Sequence, residues 1–324
     1  MRFRPTAATA VLAAITLASA ATALAQEYPT RPIRIIVPFT PGGGTDILAR
    51  LLSQRFYESF GQVVTVENRA GAGGNIGTEF VIKSPPDGYT LLMSTASMTV
   101  NVSLYPKLPF DARRDLIPIV QVASAPIVLC VHPSVPARTV KELVAVSKTR
   151  KEGVNFGSNG TGTTSHLAGV MLQQVAGLSI THIPFKGASA AVISLVGGEM
   201  DMGLYAVTSG RPLIATGKLR GLAVTTKRRS SVLPDLPTLD SMYPGFDIDN
   251  WFALFAPTGT PQMVVTRIQA EVVKGLQHAD MKTFMTREGA EPVGNTTAEF
   301  AAFFRAEIEK YAKIVKISGA KPEL

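Results

Sequence analysis

Three consecutive glycines, Gly42-Gly43-Gly44, stand between a β-branched apolar run and a run with helical spacing. The first, Ile33-Arg34-Ile35-Ile36-Val37, reads as a buried strand, and Ile47 to Phe60 reads as an amphipathic helix. A strand that turns into a helix through glycine commits the chain to an α/β layer. Glycine lets the backbone turn tightly and approach a ligand with no Cβ in the way. The helix start adds unpaired N–H donors and the positive end of its dipole, so Pro38 to Asp46 forms a potential anion seat. It lacks the lysine of a P-loop, which excludes that motif.

The same grammar recurs downstream. Val63 to Val66 reads as a second strand, leading into the glycine-rich turn Glu67 to Gly77 and a short helix from about Gly77 to Lys83. A third strand, Tyr89 to Met93, ends in the polar Ser94-Thr95-Ala96-Ser97. Two strand-like runs between Leu116 and Val131 flank Ala123-Ser124-Ala125-Pro126, where a crossing to a second domain is expected. Val154 to Phe156 then enters the hydroxyl-rich stretch Gly157 to His166. Trp251 to Ala256 reads as a returning strand whose Trp251 packs the crossing. Thr260 is the expected N-cap and Pro261 the first residue of the helix after it. Thr139-x-x-Glu142 and Thr296-x-x-Glu299 are capping boxes that open further helices. The predicted organisation is a first domain made of residues 26–125 and 249–324, with 126–248 forming a second. Ligands of such layers bind outside the carboxyl ends of strands, here in a cleft between the domains.

Residues 1–25 read as a secretory signal peptide. Arg2 and Arg4 precede the small apolar run Ala7 to Ala21, and Ala23-Leu24-Ala25 places cleavage before Gln26. Cleavage leaves 299 of the 324 residues and lowers the net charge from +8 to +6, since both lost charges are arginines. The single cysteine, Cys130, excludes an internal disulfide and reads as a buried thiol. Basic residues are scattered apart from Lys227-Arg228-Arg229, and no nucleic-acid-binding module is present, so that cluster reads as a solvated loop.

No catalytic constellation is visible. Gly187-Ala188-Ser189-Ala190-Ala191 fails the G-x-S-x-G elbow at its last position. The four histidines form no H-x-x-x-H pair, so no metal or other cofactor is expected. What remains suits holding rather than reacting: backbone donors from Gly43, Gly44, Thr45 and Asp46 and from Ala72, Gly73 and Asn75. Hydroxyls come from Ser94, Thr95, Ser158, Thr161, Thr163 and Thr164. Phe39 walls the pocket or packs the core. Asp46 contacts the ligand or caps its own helix, and its charge beside an anion favours the cap. His166 touches the ligand or is structural. Lys186 pairs with a distal carboxylate or is a surface lysine, and Asp201 lines the cleft or orients the hydroxyl loop. An exported enzyme acting on a small organic acid is the competing reading, and it needs a nucleophile or metal set that the sequence does not show.

Several blocks occur in order along the mature chain: Tyr28-Pro29-x-Arg31-Pro32-Ile33-Arg34, Pro38-Phe39-x-x-Gly42-Gly43-x-x-Asp46 and Glu67-Asn68-Arg69-x-Gly71-Ala72-Gly73-Gly74-x-x-Gly77. They continue with Ser84-x-Pro86-Asp87-Gly88-Tyr89-Thr90-Leu91, Phe185-Lys186-Gly187, Gly198-Glu199-x-Asp201 and Pro257-x-Gly259-Thr260-Pro261. In these the chain resembles the Bug family, the periplasmic substrate-binding proteins of tripartite tricarboxylate transporters. The resemblance implies a type II periplasmic binding protein fold, with two Rossmann-like α/β domains joined by two crossing strands. It implies capture without catalysis of a small organic acid, a di- or tricarboxylate or an aromatic acid. One carboxylate is gripped by the first two loops, often through ordered water. It also implies delivery to a membrane permease.

Overall fold

The computed structural model describes residues 28–39, 41–105, 107–185 and 188–320. The expected signal peptide and Lys186 lie outside the described residues.

Among the described residues eleven strands form two mixed sheets: β1 Ile33–Val37, β2 Val64–Asn68, β3 Thr90–Thr95, β4 Leu116–Ser124, β5 Ile127–Val131, β6 Val154–Ser158, β7 Ile180–Pro184, β8 Met202–Ala206, β9 Arg220–Val224, β10 Phe252–Pro257 and β11 Glu291–Pro292. The first sheet runs β11-β4-β10-β3-β1-β2 and the second β7-β6-β8-β5-β9. β1 pairs in parallel with β2 and β3, whereas β10 runs antiparallel to β3 and β4. In the second sheet β6 is parallel to β7 and β8, and β5 is antiparallel to β8 and β9. The chain therefore changes sheet between β4 and β5 and returns between β9 and β10. β3 and β10 are buried along their whole length, which is why residues 91–93 and Phe252–Pro257 read as apolar runs rather than as alternating ones.

The helix Thr297–Ser318 ties the sheets together. Phe300, Phe304 and Ile308 pack with Trp251 and Phe255 of the first sheet, while Tyr311, Ile314 and Val315 join the core of the second. Trp251 is fully buried and its indole N–H donates to Glu307 at 3.1 Å, so it packs the crossing as expected. The predicted capping box is present: the Thr296 hydroxyl accepts from Glu299 N–H at 3.2 Å, and the Glu299 carboxylate accepts from Thr296 N–H at 2.9 Å. Thr296→Ala removes one half of it and should destabilise the protein by about 1 kcal/mol, read as a lower midpoint in urea with an unchanged slope.

Three local expectations shift. The helix after β10 is Gln262–Gly275 with Pro261 at its N-cap, because the Thr260 hydroxyl turns back to donate to Pro257 O at 2.8 Å. The helix after the second glycine turn starts at Asn75 rather than Gly77. An eight-residue helix, Ser97–Leu104, was not anticipated at all. Its sequence, rich in β-branched and hydroxyl residues, has weak helix propensity. Val100 and Leu104, one turn apart, fix it by packing into the second core. Cys130 is fully buried, and burial pushes its thiol up to about 12, so it stays unreactive. Among the described residues no helix is long and apolar enough to cross a membrane.

A neutral cleft between two lobes

The parallel strands carry their carboxyl ends to facing edges of the two sheets, and a cleft of about 500 Å³ opens between them. One wall is Ala72, Gly73, Ser97, Asn101, Leu104 and Tyr105, and the other is Thr161, Gly162 and Thr163. Among the described residues no charged side chain lines the cleft.

The first glycine loop is held by Asp46. Its Oδ2 accepts from Gly42 N–H and Arg50 Nε, both at 3.0 Å, and its Oδ1 accepts from Asn68 Nδ2 at 3.0 Å. Burial pushes this carboxyl up, but the bonds from Arg50, Gly42 and Asn68 outweigh it and hold the group below its ordinary value. Asn68 Nδ2 also reaches Phe39 O at 3.1 Å, so β2 anchors the loop after β1. Phe39 is half-buried, and its ring stands 3.5 Å from where a Cβ on Gly74 would lie. Gly43 is the N-cap of the helix Gly44–Phe60 and gives it no side-chain cap. A Cβ at Gly44 would meet the Phe252 ring at 3.5 Å, an ordinary contact.

The second loop is a run of left-handed backbone: φ is +48° at Ala72, +64° at Gly73 and +99° at Gly74. Asn101, from the unanticipated helix, clamps it by donating Nδ2 to Gly73 O at 2.8 Å and to Asn75 Oδ1 at 2.9 Å. Gly77 sets the spacing between the loops, since a Cβ there would stand 2.9 Å from both Arg69 O and Pro38 Cα. Neither Gly74 nor Ala96 supplies a side-chain cap to the helices Asn75–Ile82 and Ser97–Leu104 that follow them.

The opposite wall is braced by two stacked imidazoles. His166 and His182 lie 4.1 Å apart at 15°. Gly162 N–H donates to His166 Nδ1 at 3.0 Å, which assigns the neutral tautomer with that nitrogen bare. Burial, helped by His182, pushes His166 down to about 4, and burial also lowers His182. Ser158 Oγ and His182 Nε2 share a hydrogen bond of 2.7 Å. Thr163 caps the helix Thr164–Ala176, accepting from His166 N–H at 3.3 Å and donating to Gly160 O at 2.7 Å. The lobes meet where Leu104 lies over Gly162: a Cβ there would be 2.6 Å from Leu104 Cδ2, and φ is +80°.

Of the residues singled out from sequence, Ala72, Gly73, Thr161 and Thr163 line the cleft. Ser94 and Thr95 are buried at the end of β3, where Thr95 Oγ1 bonds Ser97 Oγ at 2.9 Å. Thr45 and Asn75 are buried in the first turns of their helices, and Thr164 opens its own. Ser158 and His166 stand behind the second wall. Asp201 is a correction. It precedes β8, at the end of that strand far from the cleft, where its carboxylate accepts from Asn155 N–H at 2.8 Å and pairs with Arg150 at 2.7 Å. Ser97, Asn101, Leu104 and Tyr105 were missed with their helix. The spacing of Val100 and Leu104 beside Asn101 was the available signal.

Two α/β lobes joined by paired crossings, with a cleft rimmed by helix starts, are the architecture of a solute-binding protein. The family profile described as tripartite tricarboxylate transporter family receptor matches residues 48–320, and the chain belongs to that family. It is 38% identical to protein BugT of Bordetella pertussis over 305 residues, covering 93% of this chain and 94% of BugT. Rpa4515 of R. palustris, in a structure with adipate, is 33% identical with a TM-score of 0.78, covering 92% of this chain and 100% of that one. MatC from Rhodopseudomonas palustris, with bound malate, is 29% identical with a TM-score of 0.74, covering 89% of this chain and 100% of that one. The family and its solved relatives are binding proteins rather than enzymes, and solved relatives include periplasmic ones.

Proposed function

We propose that this protein captures a small organic acid in the interlobe cleft and delivers it to a membrane permease. One observation carries the reading: the successive helix starts at Gly44, Asn75 and Ser97 stand at the sheet edge that faces the cleft, the first two with no side-chain cap and the third with its Ser97 N–H donating to Thr95 Oγ1 at 3.4 Å. Uncapped N–H donors and dipole ends favour an anion. Each such end contributes about 0.3–1 kcal/mol, and a micromolar complex needs about −8 kcal/mol. Several donors from both lobes must therefore converge. One carboxylate sits against Gly43, Gly44, Thr45 and the Ala72–Asn75 loop. Ser97, Asn101, Thr161 and Thr163 complete the grip, directly or through water. Asp46 ties its loop, and Ser158 and His166 brace the far wall. Ser94 and Thr95 support Ser97, and Lys186 approaches a distal carboxylate. The adipate and malate held by relatives support a di- or tricarboxylate, with an aromatic acid the other class.

Residues 1–25 direct export to the periplasm, with cleavage between Ala25 and Gln26. The lobes divide at 125/126 and 248/249, in keeping with the two changes of sheet. A panel of aliphatic di- and tricarboxylates and aromatic acids tests the reading. At least one should raise the melting temperature in proportion to the logarithm of its concentration. No shift from any acid, in protein stripped of co-purifying ligand by refolding, would refute it.

A further inference from the structure

Behind the crossing, on the side away from the cleft, both lobes wall a second cavity of about 550 Å³. The first sheet contributes Ser124 and the segment Glu291–Val293. The segment after β9 contributes Thr226, Arg228, Arg229, Ser230 and Ser231. This is where the basic cluster of the sequence goes, and its members separate. Lys227 leaves to approach Asp247 at 3.9 Å. Arg229 donates to Pro234 O at 2.9 Å and has no carboxylate partner among the described residues. The Arg228 guanidinium makes no hydrogen bond or ion pair with any described residue, although it lines the cavity. Among the described residues the only carboxylate on the wall, Glu291, does not pair with either arginine. It accepts instead from Ser231 N–H at 3.2 Å and from the Ser231 hydroxyl, bridging the two lobes.

A cavity of this volume suits a small molecule. Two guanidiniums without carboxylate partners, set beside a serine that already binds a carboxylate, match the chemistry of an oxyanion. We propose that this cavity is a second anion site, taking a small oxyanion of the phosphate or carboxylate type between Arg228 and Arg229. The anion takes the place of Glu291 at Ser231. The site is separate from the cleft: the two share no lining residue.

Calorimetric titration of the mature protein with inorganic phosphate, against sodium chloride of equal ionic strength, tests it. Wild-type protein should bind one phosphate saturably. The Arg228→Gln/Arg229→Gln protein should bind it at least about tenfold more weakly, the loss of a charge-assisted pair. Glu291→Gln should bind it several-fold more tightly, because the competing carboxylate is gone. Thermal melts establish that each variant is folded. Titration with acetate in place of phosphate distinguishes a phosphate from a carboxylate site. Heats no different from chloride for both probes, or equal phosphate affinity in the folded double variant, would overturn the proposal. Loss of phosphate binding on Thr161→Val, in the cleft, would overturn it as well by placing the anion there.

Discussion

Gly77→Val is expected to weaken binding of the cleft acid by about tenfold to hundredfold and to destabilise the protein by about 1–3 kcal/mol. The atoms that a Cβ would meet at 2.9 Å, Arg69 O and Pro38 Cα, are backbone and cannot rotate away. They belong to the two loops whose donors, in the proposed binding mode, converge on one carboxylate. Relief therefore comes from spreading the loops, which lengthens hydrogen bonds at the ligand as well as straining the fold. Gly44→Ala is the contrast. Its methyl meets only the Phe252 ring at 3.5 Å, so it should bind nearly as the wild type does. Titration calorimetry on both, with urea melts alongside, separates loop spacing from general damage. Equal affinity for wild type and Gly77→Val would remove the loop spacing from the binding mechanism.

The second large effect lies in the crossing. Asp249 sits there with its Oδ1 accepting from Ala125 N–H at 2.9 Å and its Oδ2 from the Ser124 hydroxyl at 2.5 Å. Burial raises its pKa to about 7. Ser124 opposes the rise, while Glu307 and Asp247 add to it and Lys310 lowers it. The folded state thus holds a proton that the unfolded chain releases near 4. Stability conferred by that proton is full below about pH 4 and is lost as the pH rises towards 7. At 1.36 kcal/mol per unit the loss is at most about 4 kcal/mol. His166 slopes the other way, since its neutral form is favoured by the fold and stability falls as the pH drops from about 6.5 to about 4. The informative quantity is therefore the difference between wild type and Asp249→Asn. The amide can keep the bond from Ala125 and donate to Ser124 Oγ without titrating. Asp249→Asn should gain on wild type steadily between pH 4 and 7 in urea melts. A difference that stays constant over that range would show that Asp249 does not titrate there.

The order of strands and glycine turns was legible because each element signals locally. Ile33–Val37 is apolar and β-branched apart from Arg34, Trp251–Ala256 is a continuous apolar run, and Thr296 with Glu299 three residues on is a capping signal. Gly71 to Gly77 could be read as a turn because side chains rarely adopt its positive φ values. The site was only half legible. Its loops were found, but the helix Ser97–Leu104, which supplies Asn101 to clamp one loop and Leu104 to meet Gly162, was not. That segment is helical because Val100 and Leu104 are buried in the second core, an interaction with residues far along the chain.

By itself the sequence determined the alternation of strand and helix, the glycine loops at strand ends and the family that carries them. Those depend on propensity, spacing and backbone freedom, all properties of short segments. Only the tertiary structure decided which polar residues stand together. It sent Asp201 to the far end of its sheet, turned the oxygens of Asp46 onto Gly42, Arg50 and Asn68, and split Lys227 from Arg228 and Arg229. These outcomes are set by strand direction and by which distant groups share a buried space. A linear pattern does not contain either.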